Sequence, residues 1–165
     1  MCERVPIFDS LTKKPKDIRK NMRKRFEQQR KLGVISISEV KLPLKSRDEL
    51  PPILRALQHI YVTPELNEKV FRILETKVTK GKKKTGRYGM ELWHILVLSV
   101  MRLGLDADYD RLDDFANHHK LIRQILGVET TCGEGKRFSR QSIQDNVSLL
   151  DEETIRQINE VVISS

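Results

Sequence analysis

Cysteine is nearly missing from this chain of 165 residues, which holds only Cys2 and Cys132. Two cysteines so far apart exclude a disulfide scaffold and fit a reducing, cytosolic compartment. Long apolar runs are missing too. No stretch approaches ~18 consecutive apolar residues, so no transmembrane helix is expected. The opening MCERVPIFDS has no apolar h-region of the kind a signal peptide needs.

Catalytic signatures are equally scarce. There is no GxSxG elbow, HExxH pair or Gly-rich phosphate loop. The run KGKKKTG shares letters with a phosphate-binding loop but lacks the GxxxxGK[ST] spacing and does not open a helix after a strand. Asp106, Asp108 and Asp110 are spaced like the start of a calcium loop. Arg111 and Asn117 stand where an EF-hand needs Gly and a bidentate Glu, so helix capping explains these acids better. His118 and His119 are adjacent and point in different directions on a helix, and Cys132 is too isolated to complete a zinc pattern with them. No catalytic residue, metal or cofactor is expected of this chain.

Charge is plentiful and unevenly placed. The chain has 31 Lys+Arg against 23 Asp+Glu, a formal charge of +8, with 38% hydrophobic and 33% charged residues. Residues 1–40 hold 11 basic and 5 acidic side chains, residues 41–88 hold 12 and 5, and residues 89–165 hold 8 and 13. A basic first half on a mildly acidic second half suggests a polyanion partner, most simply nucleic acid.

Helical signals dominate the local pattern. Residues 15–32 read as a basic helix with Pro15 in its first turn, Gly33 at its stop and a thin stripe of Ile18, Met22 and Phe26. Residues 34–42 alternate like a short strand or an extended linker. A helix from Pro52 to about Tyr61 follows, with Ile53, Leu54 and Leu57 as its apolar face. Thr63-Pro64-Glu65 then opens another, lined by Leu66, Val70, Ile73, Leu74 and Val78. Residues 79–89 (TKGKKKTGRYG) carry five basic side chains and three glycines with no acid, a positive loop.

Residues 90–105 are apolar on almost every face and read as the central buried helix, with Trp93, Leu96, Val97, Val100 and Met101 in the core. His94 there reads as a hydrogen-bonded core histidine. Asp108 caps the next helix, a turn at Asn117–His118 leads to a short one stopped by Gly127, and Ser139 and Asp151 cap the last two. The sum is an all-α fold with helix-turn-helix-like features near residues 108–148. Residues 1–47 form a basic extension with one helix, and residues 48–165 the helical domain.

Two sets of residues are candidates for DNA contact. Lys13, Lys14, Lys20, Arg23, Lys24 and Arg25 on the first helix, with Lys82, Lys83, Lys84 and Arg87 in the basic loop, suit sequence-blind phosphate contacts. The helix opened by Ser139 presents Arg140, Gln141, Ser142, Gln144 and Asn146, types that pair with base edges. Lys136 and Arg137 stand just before it, where phosphate contacts would fix its register.

The stretch ELWHILVLSVMRLGLDADYDRLDDFANHHKLIRQILGV, Glu91 to Val128, resembles the N-terminal region of bacterial insertion-sequence transposases. The likeness is greatest to the ISNCY group and more distant to the InsH-like N-terminal domain of DDE transposases. MRKRFEQQRKLG and KSRDELPPILRALQHIYVTPELNEKVF upstream, and FSRQSIQDNVSLLDEETIRQINEVV downstream, extend it over about residues 22–163. The resemblance implies a helical domain that recognises DNA, in particular terminal inverted repeats, during DNA transposition. It also implies a downstream RNase H-like domain whose three acids hold two Mg²⁺ for strand cleavage and transfer. The sequence reaches Ser165 without an α/β pattern of that kind. Asp113 and Asp114 are adjacent and cannot be the family's widely separated acids. The expectation is a DNA-binding portion without catalysis of its own. The alternative is a helical self-association module, or a regulator of a full-length transposase. No membrane partner is expected, and the protein is expected in the bacterial cytoplasm, at the nucleoid when bound to DNA.

Overall fold

In the computed structural model, which describes residues 23–28, 32–80, 89–132 and 135–165, the described residues form seven α-helices, one 3₁₀ turn and no strand. The all-α expectation is therefore met. Pro51 and Pro52 enter the first turn of α1 (Leu50–Val62), where a missing N–H is harmless. Leu54, Leu57 and Ile60 turn inward from it, while Ile53 is half-buried. Thr63 stands at the N-cap of α2 (Pro64–Thr79), but its hydroxyl approaches His59 Nδ1 at 3.3 Å instead of capping. The face of α2 is Leu66, Val70, Phe71, Leu74 and Val78, so Phe71 takes a place that spacing alone gave to Ile73.

The apolar segment becomes α3 (Leu92–Gly104), whose residues 92–99 are all buried. Trp93 is fully buried and donates its indole N–H to Ile125 O at 2.8 Å. This satisfies the one polar atom such a ring carries into a core. Around α3 pack α4 (Tyr109–Asn117), α5 (Lys120–Leu126), α6 (Arg140–Val147) and α7 (Glu152–Ile163). Their starts are where the sequence puts them. Asp108 accepts from Arg111 N, Ser139 from Ser142 N and Asp151 from Thr154 N. Gly127 ends α5 with φ +71°, the left-handed geometry a glycine stop supplies, and Phe26 lies where a Cβ would project.

Two local expectations fail. Residues 23–28 are not helical, Leu32 lies in a turn, and residues 15–22 and 29–31 of the expected 15–32 helix lie outside the described residues. The thin apolar stripe loses to tertiary contacts that need both sides of an extended chain. Phe26 packs on His94 with ring centroids 4.8 Å apart, Arg25 reaches α2, and Lys24 O accepts from Leu92 N at 3.0 Å. Residues 34–42 form no strand. Ile37–Glu39 makes the 3₁₀ turn instead, with Ile37 fully buried. Gln58 Nε2 donates to Ile37 O at 2.8 Å and to Val40 O at 3.0 Å, taking the carbonyls a neighbouring strand would have used. Phe26, Ile37 and Val40 thus join the same core as the helices.

Candidate nucleic-acid interface

The residues between α5 and α6 are set by one buried and one half-buried side chain whose roles residue spacing does not announce. Arg123 Nε pairs with Glu129 Oε2 at 2.6 Å. Its Nη1 donates to Ala116 O at 2.8 Å and Lys136 O at 3.2 Å, and its Nη2 to Val128 O at 3.3 Å. One arginine therefore ties the end of α4 to both sides of the loop before α6. Asn117 completes the tie. Its Nδ2 donates to Phe138 O at 2.8 Å and its Oδ1 accepts from Phe138 N at 2.9 Å. No sequence signal could have found either, because the partners lie far along the chain or are backbone atoms.

Helix α6 rides on this support with Ile143, Asn146 and Val147 inward and Arg140, Gln141 and Gln144 exposed. Arg140 Nε meets Asp110 Oδ1 at 2.5 Å across to α4. Both side chains are more than half exposed, so this ion pair contributes little and is easily exchanged for another anion. Gln141 Nε2 donates to Asp145 Oδ1 at 2.7 Å on its own helix. Asn146, one of the side chains expected to face bases, points the other way. It donates to Ser142 O and accepts from Arg23 Nη1. Leu126 and Arg140 are separated by 13 residues. That is longer than the 3–4-residue turn of a helix-turn-helix, so α6 is positioned by Arg123 and Asn117 and not by a tight turn.

The basic candidates divide into three groups. Lys13, Lys14, Lys20, Lys82, Lys83, Lys84 and Arg87 lie outside the described residues. Arg23 and Arg25 are engaged in holding the fold, which corrects their reading as outward phosphate contacts. Arg23 Nη1 donates to Met90 O at 3.2 Å, and burial lowers its pKa. Arg25 grips Glu75 with Nε and Nη2 at 2.5 and 2.8 Å and Glu68 with Nη1 at 2.5 Å, above the ring of Phe71. Hydrogen bonds to Glu75 and then Glu68 raise the Arg25 pKa further. Lys24 is exposed. Lys136 Nζ lies 3.4 Å from Glu91 Oε2 and 5.4 Å from the Phe138 ring. Arg137 is exposed, with no hydrogen bond or ion pair within the described residues.

His94 is the buried histidine the sequence leads one to expect. It is fully buried, its Nε2 lies 3.0 Å from Leu126 O, and its Nδ1 lies 3.1 Å from Glu91 Oε2 without hydrogen-bonding geometry. Burial, with the charge of Lys136 adding to it, pushes its pKa down to about 3. Asp108 and Asp110 are used by the α4 cap and by Arg140. Among the described residues no three His, Cys, Asp or Glu side chains converge as a metal site, and no helix is long and apolar enough to cross a membrane.

Charge separates the described residues from the remainder. The described residues hold 19 Lys/Arg and 19 Asp/Glu, a formal balance of zero. The whole +8 of the chain belongs to residues 1–22, 29–31, 81–88 and 133–134. No protein-family model, curated protein or solved structure matches this chain.

Proposed function

We propose that this chain is a DNA-binding helical unit of the kind carried at the N-terminal end of insertion-sequence transposases, recognising element ends without cleaving them. The observation that carries this reading is the charge distribution. A charge-balanced helical body bears basic segments that hold the entire cationic excess. Such segments attract any polyanion and release its counterions, giving affinity without sequence preference. Preference falls to the exposed side chains of α6. Arg140 and Gln144 lie one turn apart on one face, and both belong to residue types that pair with base edges.

The test is electrophoretic shift of the full chain on random duplex and on a duplex carrying the element's terminal repeat. Gln144→Ala is expected to reduce the preference for the repeat by about 1–3 kcal/mol while leaving random-duplex affinity unchanged. Incubation with Mg²⁺ or Mn²⁺ is expected to leave both duplexes intact. A chain that binds neither duplex, or nicks either, overturns the reading.

A second reading is a self-association module or a regulator of a full-length transposase. It draws support from residues 89–165, which hold 8 basic and 13 acidic side chains and so repel DNA as a unit. A concentration-dependent mass by light scattering, with no shift of either duplex, would favour it.

A further inference from the structure

A cavity of about 180 Å³ opens between the α4–α5 turn and the residues leading to α6. It is smaller than the roughly 300–1,000 Å³ of sites for drug-sized ligands, so its size suits a single small group. Its walls are polar. Arg137 lines it, exposed and without a partner within the described residues, and so does His118. Arg123 lines it too. Four of its five N–H groups are spent on Glu129 and three carbonyls, which leaves one on Nη2. Glu129 is the one acid among the described residues of the lining, and Arg123 already neutralises it at 2.6 Å. The surplus charge of the described lining is therefore positive.

Two further details bear on what the cavity could hold. The Thr130 hydroxyl, in the same wall, is buried and has no hydrogen-bond partner among the described residues. Such an orphan marks a wall left incomplete without a bound group or water. Gly135 lies so close to Arg123 Nη2 and Val128 O that a Cβ there would collide with both. The backbone thus holds the guanidinium in place where a side chain would displace it.

We propose that this cavity binds one phosphate group, with Arg137 as the charged donor and His118 and the remaining Arg123 N–H beside it. The guanidinium of Arg137, without a partner among the described residues, can meet a phosphate through paired N–H donors, and the held Arg123 adds one more. The ligand has two possible sources, a nucleic-acid backbone phosphate or free phosphate. The first rests on the DNA-binding proposal above, and the cavity chemistry does not. Arg137 stands two residues before the cap of α6, so a backbone phosphate held here would lie at the foot of that helix.

Inorganic phosphate titrated against chloride at equal ionic strength, with thermal melting of the full chain as readout, tests the site. Arg137→Gln removes the donor, and Lys41→Gln, outside the cavity, removes the same charge. Phosphate is expected to raise the melting temperature of the parent and of Lys41→Gln, and Arg137→Gln is expected to bind it about tenfold more weakly. An equal response in Arg137→Gln, or none in the parent, overturns the site. Duplex binding by anisotropy identifies the source. Weaker duplex binding in Arg137→Gln, with competition by inorganic phosphate, assigns a backbone phosphate. Unchanged duplex binding beside an abolished phosphate response assigns free phosphate. A parent that binds no duplex but keeps the Arg137-dependent response removes the DNA reading and leaves the site standing.

Discussion

Trp93 illustrates how much one side chain settles. Its ring is fully buried in the middle of α3 and its N–H is matched to Ile125 O. Trp93→Ala would leave both a cavity and an unpaired carbonyl, and is expected to cost roughly 3–5 kcal/mol in urea denaturation. His94, one residue on, makes stability depend on pH. Its folded pKa of about 3 lies below the ordinary 6.5, so the unfolded chain binds the proton first. The stability it contributes is complete above about pH 6.5 and falls as pH drops from there towards 3, by at most about 1.4 kcal/mol per unit. Denaturation midpoints at pH 7 and pH 5 should differ more in the parent than in His94→Gln. Both residues were legible in the sequence, because an all-round apolar segment leaves its members no exterior. Arg23 and Arg25 were not, since their partners are Asn146, Glu68 and Glu75 on other helices. A basic run reads the same whether its charges face water or carboxylates.

Caps and stops are local, and they made the element boundaries readable. Asp108, Ser139 and Asp151 each accept from an amide three residues on, so each helix start is written within four residues of sequence. Ser139→Ala is expected to destabilise by about 1 kcal/mol through loss of the bond to Ser142 N, while Ser139→Asp keeps it. Thermal melting of the two variants side by side checks this. The expected helix over 15–32 fails at residues 23–28 for the opposite reason. A stripe repeating every four residues signals a helix only where nothing outside competes. Here Gly127, His94 and α2 all claim side chains from that short stretch. The placement of α6 was likewise out of reach of local reading, because Asn117 and Arg123 act through backbone atoms up to 21 residues away.

For the molecule as a whole, charge and fold separate. The described residues are formally neutral, so attraction to a polyanion rests on the basic stretches around them. Replacing Lys82, Lys83 and Lys84 together with Gln is expected to weaken binding to all duplexes alike. It should also flatten the slope of log K against log salt by about 0.9 for each phosphate no longer neutralised. Titrations at several salt concentrations measure both effects.

The seating of residues 23–28 decides where the chain can be trimmed. Removing the basic leader up to Lys31 looks like a clean way to ask what its charge does. It would also uncover the ring of His94, take Arg25 from Glu75 and leave Glu68 with Arg72 alone, and free the amide oxygen of Asn146 on the inner side of α6. A weakened grip on DNA would then report a loosened scaffold as readily as missing charge. Cutting ahead of Arg23 keeps every one of those interactions and separates the two causes.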